Sequence, residues 1–113
     1  DLYPTISSLC GLEVPARLQG KNISAMLDNP THTVRDAAFC VNGRGFLLRE
    51  DRWAYIQYGE NAARGIELFD MKDDPKQYSN LAGLPRFKPV VDAFKAKFAA
   101  KMKAVRDNDL GRK

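Results

Sequence analysis

The spacing of apolar residues changes twice along the chain and divides it into three stretches. From Asp1 to about Cys10 the pattern is helical, with an acceptor side chain at Asp1, Pro4 in the first turn and Gly11 where a left-handed stop belongs. Leu12 to Gly20, with Pro15, reads as a loop, and a short helical turn over Ser24 to Leu27 is ended by Asn29-Pro30. The period then shortens to two. Ala37 to Val41, Gly45 to Arg49, Arg52 to Tyr58 and Ile66 to Met71 read as strands. In the third, Trp53, Tyr55 and Gln57 alternate with Ala54, Ile56 and Tyr58, so one face carries the large aromatics. Asn42-Gly43 predicts a tight type I′ hairpin, which needs positive φ at both central positions. Glu50-Asp51 is compatible with a second tight turn. Lys72 to Leu84 holds the turn signals Asp73-Asp74-Pro75 and Asn80-Leu81-Ala82-Gly83. From about Arg86 to Val105, Val90, Val91, Phe94, Phe98, Met102 and Val105 recur at three- and four-residue spacing, the stripe of one long amphipathic helix.

Together these elements predict an α+β fold: a four-stranded antiparallel meander packed against a long C-terminal helix, with a short N-terminal helix. Residues 1–34 are helix and connecting loop, 35–84 the meander, and 85–113 the amphipathic helix and tail. The 113 residues suffice for one modest core without metal or disulfide staples. A 44% hydrophobic and 28% charged composition excludes a disordered or low-complexity chain. No apolar run reaches the ~18 residues of a membrane span, so a membrane is not an expected partner. The chain opens at Asp1 directly into a helix start, which reads as a fragment whose preceding part lies N-terminal to Asp1.

Charge refines this picture. The net charge of +4 is concentrated C-terminally: nine basic and three acidic residues lie in 85–113, against nine basic and eleven acidic in 1–84. Such a stripe suits a polyanion. Lys88, Lys95, Lys97, Lys101 and Lys103 equally fit the solvated face of an amphipathic helix. No RNA-recognition, zinc-finger or helix-turn-helix pattern accompanies them, so nucleic acid is not an expected partner.

No self-contained active site is legible. His32 is the only histidine and has no Cys, His or carboxylate at ligand spacing. No nucleophile-elbow motif is present to supply it with a partner. Asn42-Gly43-Arg44-Gly45 lacks the Lys-Ser/Thr that completes a phosphate-binding loop, and it joins strands. Asp70, Asp73 and Asp74 lack the Gly and Glu of a calcium loop. Asn22-Ile23-Ser24 matches a glycosylation acceptor, a common triplet. Cys10 lies with Ile6 and Leu9 on an apolar helix face and Cys40 lies in a strand, so both are expected to be small buried hydrophobes. A disulfide is open from sequence alone.

Several pieces, taken in order, resemble the C-terminal portion of sulfatases of the alkaline-phosphatase superfamily, in the iduronate-2-sulfatase-like branch. They are Asp1-Leu-Tyr-Pro-Thr with Leu9-Cys-Gly11, Gly20-Lys-Asn-Ile-Ser24, Gly45-Phe-Leu-Leu-Arg49 with Asp51-Arg-Trp-Ala-Tyr55, Glu67-Leu-Phe-Asp70, and Asp74-Pro75 followed by Asn80-Leu81. The resemblance implies sulfate-ester hydrolysis by a complete protein, through a formylglycine formed within C/S-x-P/A-x-R beside a calcium ion held by Asp and Asn. Lys and His would stabilise the developing charge. Neither Cys10, followed by Gly-Leu-Glu-Val, nor Cys40, followed by Val-Asn-Gly-Arg, fits that maturation motif. The resemblance therefore puts calcium and formylglycine in an absent N-terminal catalytic domain, and no cofactor in this chain.

The expected partners are that catalytic domain and, through it, a sulfated saccharide. A periplasmic, secreted or lysosomal setting is implied. Arg44 and Arg49 are the candidate substrate-binding residues, since guanidinium forks suit sulfate and carboxylate. The structural alternative is a solvated turn for Arg44 and a local pairing of Arg49 with Asp51 or Glu67. The rival functions are a free-standing polyanion-binding module and a subunit-contact module.

Overall fold

A computed structural model describes residues 1–107; the expected tail beyond them lies outside the described residues. Its elements are α1 (Leu2–Leu9), α2 (Ala25–Asp28), β1 (Ala38–Asn42), β2 (Gly45–Arg49), β3 (Trp53–Tyr58), β4 (Ile66–Asp70), a 3-10 turn (Pro85–Phe87) and α3 (Lys88–Arg106). The chain forms two compact units, one of residues 36–102 and one of residues 1–35 with the chain from Lys103 onward.

In the larger unit the strands form one antiparallel sheet in the order β1-β2-β3-β4, the predicted meander. The register pairs Leu48 with Phe39 and Tyr55, and Tyr55 with Leu68. These residues therefore share one face with Phe46, Trp53 and Gln57, and α3 covers that face. Leu48, Tyr55 and Leu68 meet Val91, Phe94 and Phe98 in a buried cluster. Phe94 stacks on Tyr55 at 5.4 Å between ring centroids, and Phe98 meets Phe46 edge-on at 5.3 Å. The helical stripe and the aromatic strand face are thus the two halves of one core.

The outer edge of β4 is satisfied by the chain that follows it. Leu81 N–H donates to Leu68 C=O at 2.8 Å. Asn80 Oδ1 accepts from Leu68 N–H at 3.1 Å, and its amide nitrogen donates to Ile66 C=O at 3.2 Å. This covers an edge that would otherwise be open to pairing with another strand.

In the smaller unit α1 ends as predicted. Gly11 adopts φ +67°, Leu12 N–H donates to Ser7 C=O and Gly11 N–H to Ser8 C=O, the bond pattern of a Schellman stop. The helix start differs from expectation. The Asp1 carboxylate makes no cap hydrogen bond to α1; it accepts instead from Lys21 N–H at 2.8 Å and pairs with Arg35. Thr5 Oγ1 donates to Asp1 C=O at 2.7 Å and accepts from Ile23 N–H at 3.0 Å. Gly20 lies so close that an added Cβ would sit 2.8 Å from Asp1 N. The Asp1–Thr5 and Gly20–Ser24 pieces are therefore direct physical partners.

The hairpin also differs. Its central residues are Gly43 and Arg44, flanked by the Asn42–Gly45 pair, and of the two only Gly43 has positive φ, at +58°. That is type II′ in place of the expected type I′, because glycine occupies the first central position and an arginine the second.

Candidate functional site

Arg44 stands exposed at the tip of the β1–β2 turn, its carbonyl accepting from Gly59 N–H at 2.8 Å. Arg49 closes the other end of β2, and its guanidinium donates to Asp51 C=O at 2.8 Å. Five residue steps along the strand, roughly 17 Å at about 3.4 Å each, separate the two. The structure places them at opposite ends of β2 and does not bring them together.

Between these ends lies the sheet face away from α3. A depression of about 320 Å³ there is lined by Cys40, Asn42, Gly45, Phe46, Leu47, Ile56 and Tyr58. Tyr58 packs over Gly45, and its hydroxyl donates to Glu67 at 3.3 Å. Burial and the Glu67 carboxylate both push the Tyr58 phenol upward. Cys40 lines this face and is exposed, contrary to the expected burial. Its parity in the ladder matches Leu47, on the side that α3 does not cover. Cys10 is likewise exposed, because α1 turns Pro4, Thr5 and Ser7 inward and leaves the Ile6–Leu9–Cys10 face outside. Both cysteines are free thiols.

A second cavity, of about 290 Å³, lies where the β3–β4 loop faces α3 and is lined by Gln57, Glu60, Asn61, Ala62, Lys95 and Phe98, with Ala99 and Met102. Gln57 shapes it. Its side-chain oxygen accepts from the buried Tyr55 hydroxyl at 2.8 Å, and its nitrogen donates to Gly59 C=O at 3.0 Å and Glu60 C=O at 2.6 Å. Burial pushes the Tyr55 phenol up to about 12. Ala62, at φ +59°, holds a left-handed conformation that a non-glycine residue rarely adopts. Sequence reasoning assigned Gln57 no role. The available signal was a polar residue in the third place of the large-side-chain alternation.

The clustered carboxylates are used locally. Asp70 is buried and takes a two-pronged bond from Arg52, Nε at 2.9 Å and a terminal nitrogen at 2.6 Å, while its other oxygen accepts from Lys72 N–H at 3.1 Å. The Arg52 hydrogen bond, helped by that N–H, holds Asp70 below the usual carboxylate range. Asp73 lies 3.7 Å from the same guanidinium, and Asp74 accepts from Ser79 N–H at 2.8 Å. No group of three or more His, Cys, Asp or Glu among the described residues is arranged to hold a metal ion. Asp70, Asp73 and Asp74 are engaged by Arg52 and by backbone N–H groups. His32 is exposed, in a turn where its N–H donates to Asn29 C=O at 2.9 Å.

Much of the basic stripe on α3 is likewise engaged within the unit. Lys97 pairs with Glu50 and lies 5.0 Å over the Phe94 ring, Lys88 pairs with Asp92, and Lys101 lies 5.7 Å over Phe39. The chemistry on display is binding and packing: exposed guanidinium, two shallow cavities and apolar surface. Among the described residues no helix is long and apolar enough to cross a membrane.

Comparison with known proteins agrees with this geometry. Residues 1–104 match the family described as N-sulphoglucosamine sulphohydrolase, C-terminal, and the chain belongs to that family of sulfatase C-terminal regions. Among individual relatives, it is 30% identical over 95 residues to arylsulfatase K of Bos taurus, covering 73% of this chain and 18% of that protein. It is 30% identical over 105 residues to the delta 4,5-hexuronate-2-O-sulfatase of Bacteroides thetaiotaomicron, covering 85% of this chain and 21% of the relative. The solved structure of a 2-O GAG sulfatase superposes with a TM-score of 0.79 at 26% identity, over 100% of this chain and 26% of that one. A second solved structure, of a protein in complex with its substrate D-glucosamine-2-N,6-O-disulfate, shares the fold at a TM-score of 0.73 and 24% identity, over 99% of this chain and 25% of that one. The chain thus spans about a fifth of the length of the curated relatives it matches.

Proposed function

We propose that this chain is the C-terminal region of a sulfuric ester hydrolase acting on sulfated saccharides. In this reading it packs on an N-terminal catalytic domain and presents Arg44 or Arg49 to the anionic substrate. The family match over residues 1–104 carries the reading. The hexuronate-2-O-sulfatase relative supports the finer placement on the iduronate-2-sulfatase-like branch, because both names denote a sulfate at position 2 of a uronic acid. Formylglycine and calcium belong to the catalytic domain in this proposal, and the setting is periplasmic, secreted or lysosomal.

Arg44 is the more available of the two arginines, since Arg49 already holds the Asp51 carbonyl. The test is hydrolysis of a 2-O-sulfated unsaturated uronate disaccharide by the complete reading frame that carries this segment, beside the 113-residue chain alone. Turnover by the former and none by the latter is expected. Arg44→Ala should raise KM several-fold with little change in kcat, the pattern of lost ground-state binding. A formylglycine-bearing full protein that releases no sulfate from sulfated saccharides overturns the assignment.

A further inference from the structure

The β3–β4 loop, residues 59–65, is bonded to the tip of the β1–β2 hairpin and is itself held from the core. Gly59 N–H donates to Arg44 C=O at 2.8 Å, so the loop grips the hairpin at the residue that carries the exposed guanidinium. The loop passes through positive φ at Gly59 (+78°), Ala62 (+59°) and Gly65 (+113°), and none of its residues is buried. It therefore brings no apolar anchor of its own, which is the composition of a segment that opens easily. Gln57, 3% exposed in β3, reaches it from inside. The side-chain nitrogen donates to Gly59 C=O at 3.0 Å and to Glu60 C=O at 2.6 Å, and the oxygen accepts from the Tyr55 hydroxyl at 2.8 Å. Tyr55 is fully buried and stacked on Phe94. A chain of hydrogen bonds thus runs from the aromatic core through Gln57 and Gly59 to Arg44. The position calls for an amide, which can accept from a phenol and donate twice to carbonyls. A carboxylate has no proton for the two carbonyls, and an apolar side chain satisfies none of the three partners.

We propose that Gln57 is a positioning residue for Arg44: it fixes the β3–β4 loop, the loop fixes the hairpin tip, and the Arg44 guanidinium meets the anionic substrate already placed. The inference rests on the reading of Arg44 as a substrate-binding residue given above. Arg49, at the far end of β2, has no share in this chain of bonds. Preorganisation lowers the ordering cost of binding, so its loss falls on KM and spares the chemical step.

The experiment uses the complete reading frame that carries this segment, with a 2-O-sulfated unsaturated uronate disaccharide as substrate. Gln57→Met, similar in length and without an N–H donor, is compared with Arg44→Ala and with the double variant. Gln57→Met is expected to raise KM about threefold or more while kcat stays within about twofold. The double variant should match Arg44→Ala alone, because a guanidinium that is absent cannot be misplaced. If Gln57→Met does not fold, Gln57→Asn carries the same comparison, since it keeps the amide but is one methylene too short to bridge Tyr55 and the loop. Val91→Ala, at a buried position of α3 outside this chain of bonds, should lower the midpoint of thermal unfolding without moving KM. In the 113-residue chain, the Gly59 amide proton should exchange about tenfold faster in Gln57→Met, with the Leu68 amide unchanged. Four results overturn the inference alone: an unchanged KM in the Gln57 variant beside a raised KM in Arg44→Ala, fully additive effects in the double variant, an equal rise in KM from Val91→Ala, or unchanged Gly59 exchange. An unchanged KM in Arg44→Ala, or no sulfate release by the wild type, defeats the substrate reading and the inference together.

Discussion

The unit of residues 36–102 is held from within by aromatic rings, whereas the unit containing residues 1–35 is held by polar contacts to backbone. In the first, Tyr55, Phe94, Phe98 and Phe46 interlock between sheet and helix. In the second, the Asp1 carboxylate, the Thr5 hydroxyl and the close approach of Gly20 join α1 to the following loop, and the large apolar side chains of α1 face outward. The difference teaches where each unit's apolar energy is used. The sheet unit buries an aromatic cluster between sheet and helix, while α1 leaves its large apolar side chains exposed.

Substitutions can break or sharpen this contrast. The largest effect is expected from Phe94→Ala, which deletes a buried ring stacked on Tyr55 and should cost about 3–5 kcal/mol in urea unfolding of the chain. Gly20→Ala tests the other unit. Its new Cβ would meet backbone at Asp1, so a loss of about 1–3 kcal/mol is expected, where an ordinary loop glycine would show little change.

Acid and alkaline titration sharpen the contrast within the sheet unit. Asp70 is held below its usual 3.8, so its contribution is present above that pH and lost as pH falls through the folded value. Asp70→Asn should flatten the acid limb of a stability–pH curve. Tyr55 is raised from 10.0 to about 12, so its contribution is complete below pH 10 and lost as pH rises toward about 12. Tyr55→Phe should remove that alkaline loss. The smallest effect is expected at the cysteines. Cys10→Ser and Cys40→Ser should each change stability by under about 0.5 kcal/mol, and both native thiols should react with a thiol reagent without unfolding.

The meander and α3 were legible because period-two and period-3.6 patterns record which side chains share a face. Trp53-Tyr55-Gln57 and Val91-Phe94-Phe98 announced the two halves of the core before either was seen to meet the other. The hairpin was legible to within one residue and wrong in type, because its central residues are Gly43 and Arg44 and only the glycine takes positive φ. The candidate site was less legible. Arg44 and Arg49 are close in sequence, yet the extended strand between them sends them to opposite ends of β2. Gln57 was missed because two of its three partners are backbone carbonyls of the β3–β4 loop, which side-chain spacing does not record.

The sequence by itself determined the order of elements, the antiparallel pairing, the helical stop at Gly11 and the family resemblance. All of these depend on local stereochemistry or on the order of short pieces. Only the tertiary structure decided that Cys10 and Cys40 are exposed, that Asp1 reaches Lys21 and Arg35 in place of capping its own helix, and that the apolar face of α1 is left open. A periodic pattern shows that a helix has an apolar face. It does not show what covers that face, because burial is set by which other surfaces are present to meet it.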